Sequence, residues 1–357
     1  MVTVGLSILG VAGGQNLQTF QSVPQRFQMY QIDEKQAIAE QPAQASPAQL
    51  AELWAKKYLG ALADSSSHME ASTTRADIVD RLMSELRFAS AKAWNRTESL
   101  LAYEVRRHRI NARLIDPWSV AKDVHEIYEK ALTAYANQVS PQRLSVKISA
   151  DLGAIRKRYT SEDPRLIGFV SMQFHHCGQM LLDCAPEAEQ TLLADYFKVI
   201  DDHLYMPLQR AYEAAANYAY GDERLKVIQT LLPHSTTIAN NVVNRVHQLY
   251  PNYRCYTDRL DSDIVRVSSI RDTEMFQIYL WTCVLEQSLA PLQQELFPLC
   301  VMLYPTLKVN WELVRQMLHL LGREFERYVS GDQVEHYVLY HQALWEMCSP
   351  SVFPTAI

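Results

Sequence analysis

Downstream of residue 74, apolar residues recur at helical spacing, and no stretch alternates apolar and polar residues with the period of two that marks a half-buried strand. Ile78, Leu82, Leu86, Ala89 and Ala93 fall three or four apart and predict an amphipathic helix. Asp116 followed by Pro117 supplies an N-cap and a first-turn proline. The helix it opens places Val120, Val124, Ile127, Ala131 and Tyr135 on one stripe. Ser140-Pro141 reads as the close of that region. Pro186 opens a long helix through Leu192, Tyr196, Val199 and His203. Pro207 should interrupt it, because proline lacks the amide donor and its ring clashes with the preceding turn.

Further helices are predicted at about 235–250, 265–286, 311–328 and 333–347. Ile238, Val242, Val246 and Leu249 line the first, and Val267, Ile270, Ile278, Trp281 and Leu285 the second. Leu313, Met317, Leu320 and Phe325 line the third. Two shorter segments, 289–297 and 299–304, lie between, punctuated by Pro291, Pro298 and Pro305. Upstream of residue 74 the pattern fades. Val2–Gly14 is apolar, too short to span a bilayer and without a basic flank, and reads as a strand or docking tail. Gln41–Pro47 reads as a linker and Ser65–Ser67 as a second break, with a helix from about Pro47 to Ala63 between them.

Composition supports the helical assignment. Only 11 of 357 residues are glycine, fewer than a sheet-rich fold of this length needs for turns and bulges. The length suggests two domains. The division expected is a flexible, poorly ordered segment and linker at 1–73, a helical domain at 74–189 and a second helical domain at 190–357. The net charge of −6 argues against a general nucleic-acid or anionic-membrane role. The six cysteines form no CxxC pair, which points to reduced, buried thiols and against structural zinc. No run of about 18 apolar residues occurs, so a cytoplasmic protein without a transmembrane segment is expected.

Candidate chemistry is sparse. His175-His176-Cys177 and Asp201-Asp202-His203 concentrate titratable groups, but neighbours on a helix project about 100° apart and do not readily share one metal. Arg106-Arg107-His108-Arg109 with Arg113, and Arg156-Lys157-Arg158, read as solvated helix faces or as a docking patch for an acidic partner. Val11-Ala12-Gly13-Gly14 lacks the following lysine of a phosphate loop. No catalytic constellation stands out.

Ile238–Val246, Tyr250-Pro251, Tyr256-Thr257-Asp258-Arg259, Ser268–Asp272, Glu274, Tyr279 and Ala290–Glu295 form an ordered series. Over roughly residues 190–350 this series resembles a phycobiliprotein subunit of the allophycocyanin or phycocyanin type, including globins associated with bilin biosynthesis. The resemblance implies an all-α, globin-like C-terminal domain, preceded by extra helices that would form a partner-binding layer. In that family a cysteine bonds covalently to a linear tetrapyrrole, the bilin. The corresponding position here is Ser269, whose hydroxyl is a poor nucleophile without an adjacent base, so no covalent bilin is expected. Cys255, in the preceding loop, is an alternative thiol near the same place. By the same resemblance Arg271 would pair a bilin propionate and Asp272 would accept pyrrole N–H bonds, consistent with guanidinium and carboxylate chemistry. Tyr279 fits the same helix, and Arg266 stands one residue from the family's upstream arginine. No histidine lies between His247 and His319, which argues against proximal-histidine haem ligation.

The function implied is a non-enzymatic binding, assembly or regulatory module in a photosynthetic antenna or in bilin metabolism. Its partners would be antenna, bilin-synthesis or regulatory proteins, with homo- or hetero-oligomers formed through the globin helices and a location peripheral to photosynthetic membranes. Two alternatives stand beside it. One is a sensor globin for a small hydrophobic ligand. The other is a tetrapyrrole-acting enzyme that uses His175, His176, Asp201, Asp202 or His203, provided these converge.

Overall fold

Capping side chains set several of the helix starts. The computed structural model describes residues 47–59, 74–329 and 331–354. Val2–Gly14 and both predicted linkers lie wholly or mostly outside them. Helix α1 (Pro47–Ala55) runs into a 3₁₀ turn (Lys56–Leu59), and the rest of the predicted helix, to Ala63, lies outside the described residues. Helix α2 (Arg75–Arg107) opens with a capping box, in which the Thr74 hydroxyl accepts from the Asp77 amide and the Asp77 carboxylate from the Thr74 amide. Helix α3 (Pro117–Ala136) opens as predicted, with Asp116 accepting from the Trp118 and Ser119 amides.

Helix α4 (Pro141–Thr160) corrects the sequence expectation. Ser140-Pro141 opens a helix instead of closing one: the serine hydroxyl accepts from the Arg143 amide, and proline suits the first helical position. Helices α5 (Leu166–Cys184) and α6 (Glu187–Tyr205) follow, and α6 stops before Pro207 as expected. Then come α7 (Leu208–Ala215), α8 (Glu223–Leu231), α9 (Ser235–Leu249) and α10 (Asp263–Glu286). The two short segments predicted next are one continuous element: a π-helical stretch (Pro291–Leu296) leads straight into α11 (Phe297–Thr306). Helices α12 (Trp311–Phe325) and α13 (Asp332–Met347) complete the order. The fold is all-helical: among the described residues no β-strand forms, and one isolated bridge joins Arg254 to Arg259. No helix among them is long and apolar enough to cross a membrane.

Among the described residues, four helix ends use the left-handed conformation without glycine. Arg109, Gln138, Gln287 and Lys308 all have φ between 50° and 55°. The next residue bonds back five positions in each case, as from the Ile110 amide to the Val105 carbonyl at 2.9 Å. A side chain in this conformation costs about 1 kcal/mol relative to glycine.

Helix α10 is the axis of the interior. Every residue from Thr273 to Leu285 is buried, so this half shows no polar stripe and packs on all sides. It touches α7, α8, α9, α13 and the π-helical stretch. Helix α5 packs on α2 and α6, while α4 bridges α6, α7 and α1. One cluster of buried apolar side chains runs from Leu50 to Cys348 and joins all these elements. Helix α1 contributes Trp54, which is fully buried, and Tyr58 follows in the 3₁₀ turn.

Candidate functional site

Helix α10 carries polar side chains into three separate clusters. The deepest holds Tyr279. Its hydroxyl donates to Glu295 Oε1 at 2.7 Å and accepts from Arg156. Arg156 also donates to Glu295 and to the Leu204 carbonyl. Arg210 closes the cluster, reaching Glu295 at 3.2 Å and gripping Glu286 through two bonds of 2.6 and 2.7 Å. Burial would push the Glu295 carboxyl up, but Arg156 and the Tyr279 hydroxyl hold it below the usual range. Arg156 belongs to a run expected to be a solvated face; only Lys157 and Arg158 are exposed, because Arg156 lies on the buried stripe of α4 with Leu152 and Ile155.

The second cluster surrounds Glu274. Lys57 donates to it at 3.0 Å and the Thr236 hydroxyl at 2.6 Å. Asp202 lies alongside and accepts from Lys198 at 2.8 Å and from the Tyr58 hydroxyl at 2.8 Å. Burial opposes charge on Asp202, yet Lys198 and Lys57 hold its carboxyl well below the usual range. Burial depresses Lys57 against the pull of Glu274 and Asp202. The Lys57 ammonium also sits 3.7 Å from the Trp54 ring centroid. Two cations thus face two anions around a wall of aromatic rings.

The third cluster is open. It lies in the first half of α10, where residues 268–272 are only half-buried. The Tyr205 hydroxyl donates to Asp272 Oδ1 at 2.8 Å, and the Arg271 guanidinium stacks 4.3 Å from the Tyr205 ring centroid. Burial raises the Asp272 carboxyl, with Arg271 acting against that shift. His175 Nδ1 donates to Asp201 Oδ2 at 2.7 Å. The His176 ring lies 5.8 Å from that of His175, and burial followed by the Arg96 charge lowers its pKa to about 4. Asp201 and Arg271 are close enough to interact electrostatically. Three polar atoms of this group find no hydrogen-bond partner among the described residues: Arg271 Nε, Asp201 Oδ1 and His176 Nε2.

No family model, no curated protein and no solved structure matches this chain.

The predicted site residues divide among these environments. Arg271 and Asp272 share the open cluster. Ser269 is half-buried, and its hydroxyl donates to the Val265 carbonyl of its own helix at 2.8 Å. Arg266 is held by Asn244 and Asn240 at 2.5 and 3.2 Å. Tyr279 lies seven residues further along, about 10 Å by helical rise, inside the deepest cluster. Cys255 is a half-buried free thiol, pushed up by burial and then by the neighbouring Asp272 charge. Of the histidine and aspartate groups, His175, His176 and Asp201 converge. Asp202 belongs to the Glu274 cluster, and the fully buried His203 donates from Nδ1 to the Val199 carbonyl at 2.8 Å. Among the described residues no group of three or more His, Cys, Asp and Glu is placed to hold a metal.

Sequence reasoning missed Tyr205 as the partner of Asp272 and Lys57 as the partner of Glu274. No local signal marks either pair, because they are separated by 67 and 217 residues.

Proposed function

We propose that the protein is a non-enzymatic binding module for an amphipathic carboxylate, and that its ligand is a linear tetrapyrrole held without a covalent bond. The reading follows from the resemblance of the sequence series to phycobiliprotein-like globins of antenna assembly or bilin metabolism. The observation that carries the proposal is the open cluster. Ile264, Val267 and Arg271 stand at positions i, i+3 and i+7 of α10, so one helix face runs apolar, apolar, cationic. Ile264 and Val267 are 58% and 68% exposed, an unusual degree for such residues beside a guanidinium whose Nε is unpartnered. A ligand with a hydrophobic body and a carboxylate suits that face. Asp272 and the buried, unpartnered Oδ1 of Asp201 are acceptors of the kind that N–H donors such as pyrroles need, the latter only once its surroundings shift. Arg271 and Asp272 therefore fit the group; Tyr279 does not, since Arg156 and Glu295 already engage its hydroxyl. Ser269 offers a hydroxyl turned into its own helix, which supports reversible binding over thioether formation. When bound, the tetrapyrrole would supply light absorption. Arg271 and Asp272 would orient it against the exposed apolar face of Ile264 and Val267.

Titration of the purified protein with biliverdin tests this. A red-shifted band that disappears on denaturation, with no zinc-dependent fluorescence after denaturing electrophoresis, is the expected result. Arg271→Gln should weaken binding by about tenfold or more, the effect of one charge-assisted hydrogen bond. An unchanged biliverdin spectrum rules the tetrapyrrole out. Displacement of a fluorescent fatty acid by unlabelled palmitate would then assign the same face to the sensor reading.

The His175–Asp201 pair favours a second reading, an enzyme acting on the same ligand. An aspartate that accepts from Nδ1 orients the imidazole and leaves Nε2 of the neutral ring free to take a proton. Consumption of biliverdin that ceases in His175→Gln while binding persists would establish it.

A further inference from the structure

The turn between α2 and α3 carries the basic run of the sequence on a surface whose backbone is tied by several hydrogen bonds. Arg106, Arg107, Arg109 and Arg113 are all exposed. Two large aromatic side chains flank them in sequence and are also exposed: Tyr103 at 63% and Trp118 at 85%, the highest exposure of any large apolar residue described. Nearby carboxylates neutralise only part of this patch. Glu104 is buried beneath it and faces the Thr306 hydroxyl at 2.8 Å, His108 at 3.1 Å and Arg107 at 3.6 Å. Asp116 caps α3, and Asp163 is taken by Arg165 at 2.6 Å. Arg106, Arg109 and Arg113 have no carboxylate partner among the described residues.

The backbone under these side chains is already ordered. Ile110 is buried, and its amide bonds back to the Val105 carbonyl at 2.9 Å. Arg165 donates to the His108 carbonyl at 3.0 Å, tying the turn to the start of α5. The Asn111 side chain accepts from the Arg113 amide at 3.1 Å. Arg109 holds φ at 53°, a conformation in which glycine is less strained. A preorganised surface loses little entropy on binding, and arginine with tryptophan is the pair most enriched where proteins meet.

We infer that this turn is a docking surface for an acidic polypeptide segment that carries at least one aromatic or aliphatic residue. Its carboxylates would take the guanidinium forks of Arg106, Arg109 and Arg113, and its apolar residue would cover the Trp118 indole. The patch occupies a single interhelical turn, which matches a short segment better than a duplex or a bilayer. The whole-chain charge of −6 opposes the approach of an extended polyanion but acts little on a short peptide at this one basic spot.

Fluorescence anisotropy on the full chain tests the inference, with a labelled twelve-residue peptide repeating Glu-Glu-Phe as the probe. A Gln-Gln-Phe peptide, phosphatidylserine vesicles and a single-stranded RNA of equal length serve as competitors. The acidic peptide should bind, and weaken as salt rises. The double reversal R109E/R113E should reduce affinity by about tenfold or more, and Trp118→Ala should reduce it severalfold. Reversal of the exposed Arg245, on α9, should leave it unchanged. These side chains are solvent-facing, and unaltered far-ultraviolet circular dichroism would verify that the variants are folded. Equal binding of the Glu and Gln peptides overturns the inference, as does indifference to R109E/R113E or effective competition by vesicles or RNA.

Discussion

Helix α10 holds two arginine–carboxylate–tyrosine clusters, and they are built on opposite terms. Around Tyr279, Arg156 and Glu295 meet in a buried site where the side chains satisfy one another. Around Asp272, Arg271 and Tyr205 meet in a half-buried site that leaves Arg271 Nε, Asp201 Oδ1 and His176 Nε2 unpartnered. The same residue types thus satisfy one another in one place and leave buried polar atoms without a partner among the described residues in the other. The two differ in burial: Arg210 closes the first, whose Glu295 stands on the π-helical stretch, whereas residues 266–272 of the second are half-buried or exposed.

The largest test of this contrast is Arg156→Leu. It leaves the buried Glu295 with Arg210 as its remaining cation and the Tyr279 hydroxyl as its donor, and should cost about 3–5 kcal/mol in urea denaturation. Adding Glu295→Leu should recover part of that loss, because removing both charges is less costly than stranding one. Next in size is acid sensitivity. Burial lowers His203 to about 4, so the folded protein resists a proton that the unfolded chain takes up near 6.5. Stability should therefore fall as pH drops from about 6.5 to about 4, by roughly 3 kcal/mol for this residue. Stability curves at pH 7 and pH 4.5 should converge in His203→Gln relative to the parent. Tyr279→Phe should then cost about 1–2 kcal/mol, and Tyr205→Phe less than half of that, since solvent can replace the lost bond at the open site. The smallest effect belongs to Arg271→Leu, at under about 1 kcal/mol. A cost for Arg271→Leu equal to that of Arg156→Leu would erase the distinction.

Much of the helical order was legible in the chain. Asp116-Pro117 and Pro207 act through local geometry, and local geometry is what a sequence displays. Helix ends were harder to place. Arg109, Gln138, Gln287 and Lys308 stop helices in a conformation that glycine usually marks, so no residue type announces the stop. Ser140-Pro141 was misread for a related reason: the pair suits the start of a helix as well as a break. Arg156 looked solvated because two other basic residues follow it, but the 3.6-residue period turns only those two outward. Within the open cluster, Arg271 and Asp272 were singled out from sequence. Their neighbours His175 and Asp201 were noticed as residues, but not as a pair. Their separation of 26 residues spans a helix boundary that only the packed fold brings together.

The docking of residues 47–59 has a consequence for how the chain is made. Lys57 meets Glu274, which is synthesised 217 residues later, so at about 5–20 residues per second the wait is about 10–40 s. The segment's other partners come earlier: α4, α7 and Asp202, which accepts from Tyr58, are all synthesised before Glu274. The segment can thus gain cover from α4 and α7 during synthesis, while its Lys57–Glu274 pair closes only once α10 has emerged.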